Sequence, residues 1–271
     1  MNKKMEIKIW EEGAENGSMF SMFALGFSYA NGDFDLPQDD KIALEWFKKA
    51  ADKGHPASRA IVEIYYESDI LDFKNKEQKI LEWASQGKEE EVLAMLLLGN
   101  IYEKGLKNME NDQVKALEWY KKAAEKDSQF KGAAMYEIAR YYDSGLGDIK
   151  QDKKKAIDLY KKSFEAGYTQ AALKLALLYD ILDFQNPKSG EYKKEAVNWY
   201  LKAANKNHSD AMFKAAEIYM EGADDFLKKD VRKAVKWYFK AANAGYKKAF
   251  FVIGSFYDQG INSLSQDKKR P

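Results

Sequence analysis

The segment KALEWYKKAAEKD, residues 115–127, occurs in three further variants along the chain. These variants are IALEWFKKAADKG (42–54), EAVNWYLKAANKN (195–207) and KAVKWYFKAANAG (233–245). The central position of the pattern recurs every 36 to 40 residues, at Trp46, Trp83, Trp119, Leu159, Trp199 and Trp237. Because this period is typical of repeats built from pairs of helices, the spacing predicts an all-helical repeat protein.

A second pattern lies upstream of each copy and predicts another helix, so that each repeat has a first and a second helix. Its reference position is a tyrosine, at Tyr29, Tyr65, Tyr102, Tyr142, Tyr179, Tyr219 and Tyr257. The residues eight and three positions before each tyrosine are small or β-branched, as Ala94 and Gly99 are before Tyr102. These positions share one helical face, which we expect to pack closely against a neighbouring helix.

Turn and capping residues separate the two helices of each repeat. A glycine that can end the first helix in the left-handed conformation follows three residues after the tyrosine, at Gly32, Gly105, Gly145, Gly222 and Gly260. An aspartate that can cap the second helix follows at Asp39, Asp112, Asp152 and Asp230. Ser68 and Leu182 replace the glycine, which predicts altered turns in the second and fifth repeats. Lysines late in the second helices, such as Lys121 and Lys122, are expected to form a solvated outer face.

The charge balance and the absence of cysteine exclude several classes of function. The chain has 44 Lys and Arg against 43 Asp and Glu, a formal net charge of +1, which gives no long-range attraction to phosphate backbones or anionic membranes. No stretch approaches the roughly 18 to 20 apolar residues that cross a bilayer. We therefore expect neither nucleic acid nor a membrane as partner. The lack of cysteine fits a reducing compartment, so we expect a cytoplasmic location, with a removed leader as the open alternative.

The residues of a repeat follow the order small residue, Leu-Gly, Tyr, Gly, Asp, Lys-Ala, Trp-Tyr, Lys, Ala-Ala and Gly. This order resembles that of the Sel-one-like repeat family, a branch of the tetratricopeptide-type helical superhelices. The resemblance covers nearly the whole chain and is most specific at residues 94–125. It weakens at residues 56–87, and Leu159 replaces the tryptophan of the fourth repeat. The resemblance implies an all-α fold, a right-handed α/α superhelix (solenoid) of helix-turn-helix repeats of 36–40 residues.

We predict a single solenoid domain over residues 1–271, with a half repeat at each end. The boundaries are a half repeat at 5–17, repeats at 18–54, 55–90, 91–127, 128–167, 168–207 and 208–245, and a half repeat at 246–271. Solenoids generally close with atypical caps. A natural end is therefore the favoured interpretation of the last half repeat, and truncation of a longer array is the alternative.

The residue types that usually carry chemistry are sparse. The two histidines, His55 and His208, both fall nine residues after the repeat centre, where other repeats hold Ser128, Tyr168 and Tyr246. We interpret this position as an inter-repeat turn and expect no metal, no cofactor and no catalytic residue. No phosphate-binding loop, nucleophile elbow or dinucleotide fingerprint occurs. The resemblance implies one enzymatic alternative, a penicillin-recognising, β-lactamase-like hydrolase, as described for some secreted cysteine-rich relatives; this chain has no cysteine.

Positions six and two residues before each tyrosine point away from the packing face of the first helix. We expect them to line a concave groove, because mixed aromatic and polar side chains are typical of interfaces. The predicted partner-binding residues are Phe23, Phe27, Arg59, Glu63, Asn100, Tyr136, Arg140, Phe213, Glu217 and Phe251. Tyr136 and Arg140 are the preferred contacts, and we expect their replacement to leave the packing intact. Leu96 and Leu173, at the same positions, are equally consistent with completing the core.

The pattern as a whole favours a non-catalytic, monomeric scaffold or adaptor that binds a protein or peptide in its groove. A narrower version is a cytoplasmic antidote that neutralises a toxin, an effector or an enzyme. A purely structural spacer is the third hypothesis, and the aromatic residues in the groove positions argue against it.

Overall fold

The structure, a computed structural model, describes residues 3–31, 36–37, 39–62, 78, 88–105, 110–186, 190–223 and 226–259. Within these ranges it contains thirteen helices and no strand beyond one isolated bridge between Ala223 and Leu227. The helices are α1 (Lys3–Glu15), α2 (Met19–Asn31), α3 (Asp40–Asp52), α4 (Pro56–Ile61), α5 (Lys88–Lys104), α6 (Gln113–Glu125), α7 (Lys131–Ser144), α8 (Lys153–Glu165), α9 (Gln170–Gln185), α10 (Glu191–Asn205), α11 (Ser209–Glu221), α12 (Val231–Asn243) and α13 (Lys247–Gln259). The predicted all-α repeat fold is confirmed.

Helices that follow one another along the chain pack side by side within two compact units, Met1–Tyr168 and Thr169–Pro271. The pairs α2/α3, α5/α6 and α7/α8 in the first unit, and α9/α10 and α11/α12 in the second, each join a first helix to its second helix. Within each unit a second helix also packs against the next first helix, as α6 does against α7 and α10 against α11. The single domain with the repeat boundaries given above stays a prediction.

The small residues of the first helices are required because an aromatic ring of the second helix lies against them. A Cβ atom added to Gly99 would lie 2.4 Å from Cε1 of Tyr120, and one added to Gly26 would lie 2.8 Å from the ring of Phe47. Both rings come from the residue directly after the repeat tryptophan, and this position is buried in every described repeat, at Phe47, Tyr120, Tyr160, Tyr200 and Tyr238. Close approach of the two helices therefore depends on a glycine or alanine facing this ring.

The repeat tryptophans lie at the edge of the core, beneath lysine side chains. The Nζ atom of Lys122 is 4.0 Å from the ring centroid of Trp119, and the same contact occurs for Lys49 on Trp46, Lys202 on Trp199 and Lys240 on Trp237. Such cation–π contacts stabilise exposed sites by about 0.5–1 kcal/mol. These lysines are exposed, as expected of an outer face, and they also cover the indole rings.

The predicted capping aspartates close the turn between the two helices in two ways. The Asp152 carboxylate accepts a hydrogen bond from the Lys155 N–H at 3.0 Å, and the equivalent caps form at Asp39, Asp112 and Asp230. The main-chain N–H of each aspartate also donates to the carbonyl of the reference tyrosine, at 2.7 to 2.9 Å, in the pairs Asp39–Tyr29, Asp112–Tyr102, Asp152–Tyr142 and Asp230–Tyr219. The aspartate therefore joins the end of one helix to the start of the next.

The glycines expected to end the first helices behave as predicted where the structure describes them. Gly105, Gly145 and Gly222 have φ values of 73°, 69° and 84°, in the left-handed range. Gly32, Gly260 and Ser68 lie outside the described residues. In the fifth repeat, where Leu182 replaces the glycine, α9 continues to Gln185, which confirms the altered turn.

Replacing Asp152 with alanine is expected to lower the free energy of unfolding by about 1 kcal/mol, since the first turn of α8 loses its side-chain acceptor. Urea denaturation followed by circular dichroism measures this loss. Asp148→Ala, at an exposed position in the same turn, is the control and should change stability by less than about 0.5 kcal/mol. Equal losses for the two variants would contradict the capping role.

Candidate partner-binding surface

The predicted groove residues divide into exposed, half-buried and buried groups. Phe27 and Phe251 are open, with 52% and 80% of their surface exposed. Arg59 is exposed, and its Nε donates to the Ala51 carbonyl at 3.3 Å. Asn100 is half-buried. Glu63 lies outside the described residues. The two exposed phenylalanines of this set therefore lie on α2 and α13, near the two ends of the described chain.

Phe23 and Phe213 are half-buried and pack on neighbouring rings. The Phe23 ring centroid lies 4.5 Å from that of His55 and 5.8 Å from that of Phe47. The Phe213 centroid lies 5.3 Å from Tyr238 and 4.7 Å from Tyr246. Both side chains extend the core with one side and face outward with the other.

Tyr136 is buried, and the expectation that it points away from the packing interface is wrong. Only 8% of its surface is exposed, and its ring centroid lies 5.4 Å from that of Tyr160 and 5.0 Å from that of Tyr168. Burial, helped by the charge of Glu137, raises the pKa of Tyr136 to about 12. Tyr168 follows α8 in the inter-repeat turn and covers the side of α7 that the helical pattern left open.

Arg140 joins two first helices of the first unit through a pair of carboxylates. Its Nη2 lies 2.8 Å from Oε1 of Glu103 on α5, and its Nη1 donates to Oε2 of Glu137 on α7. The Tyr120 hydroxyl donates to Oε2 of Glu103 at 3.0 Å. Burial opposes the charge on Arg140, yet the hydrogen bonds and charges of both carboxylates raise its pKa. We call Glu103, Tyr120, Glu137 and Arg140 the arginine cluster.

Replacing Arg140 with methionine is expected to lower the free energy of unfolding at pH 7 by about 1–3 kcal/mol, because it leaves two carboxylates facing each other in a partly exposed site. Burial raises the pKa of Glu137, and Arg140 and Lys104 oppose that rise while Glu103 adds to it. Without Arg140 the folded state holds this proton more tightly than the unfolded state, so stability falls as pH rises above about 4.5.

Thermal melts of the Arg140→Met variant at pH 4 and pH 7 measure this effect, and the loss should be smaller at pH 4. Adding Glu137→Gln to the variant removes the titrating group and should remove most of the difference between the two pH values. An equal loss at both pH values would contradict the pairing.

The second unit repeats the tyrosine–carboxylate arrangement without an arginine. The Tyr200 hydroxyl donates to Oδ2 of Asp180 on α9 at 2.5 Å. Burial, this bond and the charges of Asp180 and Glu217 together raise the pKa of Tyr200. Glu217 forms an ion pair with Lys214 at 3.2 Å on the same helix. In the repeat register, Asp180 and Glu217 occupy the positions at which Glu103 and Arg140 meet in the first unit.

Three apolar side chains that the sequence interpretation did not select form an exposed row on α9. Leu177, Ile181 and Phe184 have 44%, 48% and 90% of their surface exposed. Their spacing of four and three residues places them on one helical face. The signal for this row was Leu182, because a helix that continues past the usual glycine displays further side chains. We call these three residues the α9 stripe.

The histidines have structural roles, and no metal site accompanies them in the described part of the chain. His55 is buried, and its Nδ1 accepts from the Ser58 N–H at 3.2 Å at the start of α4. Nε2 of His208 lies 3.2 Å from Oγ1 of Thr169, and burial lowers the pKa of His208. Among the residues that the structure describes, no three His, Cys, Asp or Glu side chains are grouped as metal ligands.

The Ser-x-x-Lys spacing of penicillin-recognising enzymes occurs in this chain at Ser85, Ser128 and Ser265. Of these serines, Ser128 lies in the described ranges. Its Oγ accepts from the Phe130 N–H at 3.1 Å, and its carbonyl accepts from the Lys131 N–H at 3.1 Å. Both bonds belong to the turn that leads into α7, and this is the role that the structure shows for Ser128.

A known repeat family matches the chain in segments that correspond to the helix pairs described above. The family model of the Sel1 repeat matches residues 20–55, 92–128, 132–168, 169–208 and 209–246, which is more than half of the chain. The chain belongs to the Sel1 repeat family. Sel1 repeat proteins are generally helical scaffolds for protein interactions. The stretch between residues 55 and 92, which the Sel1 repeat model does not match, contains the second repeat, where Ser68 replaces the expected glycine.

Two solved structures with Sel1 repeats are similar to the chain. A protective antigen of uropathogenic Escherichia coli strains, displaying an SLR fold, is 30% identical with a TM-score of 0.54, over 96% of this chain and 53% of that one. The chain thus spans about half the length of that antigen. A Sel1 repeat protein from Oxalobacter formigenes is 26% identical with a TM-score of 0.55, over 92% of this chain and 68% of that one. No curated protein matches the chain.

No described helix is long and apolar enough to cross a membrane.

Proposed function

We propose that this chain is a non-catalytic adaptor that binds a protein or peptide partner on the exposed side of its first helices. The observation that carries the proposal is Phe27, which is 52% exposed although Leu25 and Gly26 beside it are buried in the core. More than half of the Phe27 surface is exposed, although its ring centroid lies 6.2 Å from that of Phe23. Apolar groups of this kind, next to polar anchors, are typical of interaction sites.

Polar groups on two further first helices of the first unit also support a protein partner. Arg140, held between two carboxylates, and Asn100, half-buried on α5, present fixed hydrogen-bonding groups. Fixed polar groups define the register of a bound peptide, whereas exposed aromatic side chains supply most of the affinity. The balanced net charge of +1 argues against nucleic acid as the partner. We further propose that the adaptor works as a monomer in the cytoplasm, where it regulates or neutralises the protein that it binds.

The test begins with affinity purification from the native cell and mass spectrometry, followed by titration of the purified partner against variants. Phe27→Asp, Leu177→Asp and Phe251→Asp each place a charge on an exposed apolar position of a first helix. At least one of them should weaken binding by about ten-fold. Val114→Asp, at a 42% exposed apolar position of the second helix α6, is the matched control and should bind normally.

Loss of binding in Val114→Asp alone, with the three first-helix variants unchanged, would overturn the proposal. Catalytic turnover of the partner or of a small substrate by the purified chain would overturn its non-catalytic part. Circular dichroism of each variant separates loss of binding from loss of fold.

A further inference from the structure

The α9 stripe is an apolar surface that the packing of the second unit does not use. Leu175, Ala176 and Leu178, on the opposite side of the same helix, are buried, so α9 is held in place without the stripe. The stripe runs from Leu177 to Phe184, seven steps along the helix, or about 10 Å at 1.5 Å per residue. Two turns of a partner helix carry apolar side chains over the same length, because positions i, i+4 and i+7 share one face.

Acidic groups border the stripe. Asp180 lies three residues after Leu177 and four before Phe184, which places it beside both on the helix surface. The helices α9 and α11 together carry five acidic and two basic residues. The two basic residues are Lys174, exposed on α9, and Lys214, whose ion pair with Glu217 is itself exposed. The two helices together therefore carry a net charge of −3.

The arginine cluster of the first unit shows which group fits between such carboxylates. Glu103 and Asp180 each follow the reference tyrosine of their repeat, and Tyr120 and Tyr200 each donate a hydroxyl hydrogen bond to that carboxylate. In α7 the position two before the reference tyrosine is Arg140, which bridges the two carboxylates. In α11 the same position is Glu217. The second unit thus has an acid where the first unit has its own guanidinium.

We propose that the α9 stripe docks a basic amphipathic helix of a partner protein. Its apolar face lies on Leu177, Ile181 and Phe184, and an arginine or lysine beside that face reaches Asp180 and Glu217, as Arg140 reaches its two carboxylates in the first unit. This inference rests on the proposed adaptor function and names the chemistry of the segment that is bound. Charge complementarity selects a basic partner over an acidic one.

A fluorescent designed peptide of about 16 residues, long enough to form a helix on binding, tests the proposal. It carries leucines at i, i+4 and i+7 and arginines beside them, and a second peptide carries glutamates in place of the arginines. Fluorescence anisotropy should show saturable binding of the arginine peptide and about ten-fold weaker binding of the glutamate peptide. Phe184→Asp and Ile181→Asp should each weaken binding of the arginine peptide by about ten-fold or more.

Phe250→Asp is the matched control, because Phe250 is also an exposed phenylalanine of the second unit but lies on α13; it should bind the arginine peptide as the wild type does. Glu217→Gln should reduce the affinity and the salt dependence of binding. Thermal melts show whether each variant is folded.

Three results of the peptide experiment would overturn the inference. They are no binding of the arginine peptide, equal binding of the two peptides, and equal loss in Phe250→Asp and Phe184→Asp. A concentration-dependent dimer in light scattering that Phe184→Asp abolishes would also overturn it, because the stripe would then be covered by a second copy of the chain. A purified native partner that is lost with Phe27→Asp but retained with Phe184→Asp would overturn this inference and leave the proposed function in place.

Discussion

Gly99→Leu is expected to lower the free energy of unfolding by about 3 kcal/mol or more, near the upper end of the range for overpacked cores. The Cβ atom alone would lie 2.4 Å from Cε1 and 2.7 Å from Cδ1 of Tyr120. Tyr120 is 1% exposed and hydrogen-bonded to Glu103, so its ring has no free space into which it can move. The helices α5 and α6 must then separate, and the arginine cluster loses its geometry with them. Urea denaturation followed by tryptophan fluorescence measures the loss.

Gly254→Leu is a control at the same repeat position of α13. A Cβ atom added to Gly254 meets no atom within 4 Å, so the larger side chain has room. Glycine lowers the stability of a helix interior by about 1 kcal/mol relative to good helix formers, and this variant should therefore be neutral or slightly more stable. If Gly99→Leu is as stable as Gly254→Leu, the close contact between the first and second helices is not the reason that a small residue is needed at position 99.

Tyr136→Ala is expected to lower the free energy of unfolding by about 3 kcal/mol, the lower end of the range for removal of a buried aromatic side chain. The ring fills the space between Tyr160 of α8 and Tyr168 of the following turn. Its removal leaves a cavity at the point where one repeat meets the next in the first unit. Thermal unfolding and urea denaturation should both show the loss, and any loss of partner binding would accompany it.

Phe251→Ala is the matched control for Tyr136→Ala, because both residues lie six positions before the reference tyrosine of their first helix. Phe251 is 80% exposed, so its truncation should change stability by less than about 0.5 kcal/mol. A stable, cooperatively folded Tyr136→Ala protein would show that the tyrosine contacts between α7 and α8 contribute little.

The helices, turns and caps could be predicted because their signals are local. Asp152 caps α8 through an N–H three residues away, and Gly145 ends α7 through its own backbone conformation. The position of the small residues also follows from helical periodicity alone. These features depend on neighbours within one or two turns, and the sequence places such neighbours directly.

The partner-binding surface was harder to predict because burial there depends on residues of other helices. Helical geometry places Tyr136 on the side of α7 away from Ala134, but Tyr168, 32 positions later in the sequence, lies over it. Arg140 meets Glu103 across 37 residues of sequence. Neither contact has a local sequence signal, so a pattern that holds for one helix does not show which of its outer positions a later repeat covers.

The α9 stripe was missed for a different reason. From the sequence, the replacement of the glycine by Leu182 predicted only an altered turn. The structure shows that this change lengthens the helix. The extra turn displays Phe184, which the repeat pattern does not contain. A departure from a repeat consensus can therefore mark a place where one repeat has gained a surface that the others lack.

The main-chain hydrogen bond from each capping aspartate to the reference tyrosine has a consequence for how such chains evolve. Since the bond uses backbone atoms, it forms with nine residues between the partners in three repeats and with ten between Tyr219 and Asp230. These four junctions between first and second helix then share one chemical joint, whatever side chains surround it. A gene segment running from one such joint to the next can be duplicated, deleted or exchanged with both ends matching their new neighbours, and the exposed residues of the inserted copy are free to diverge toward a new partner.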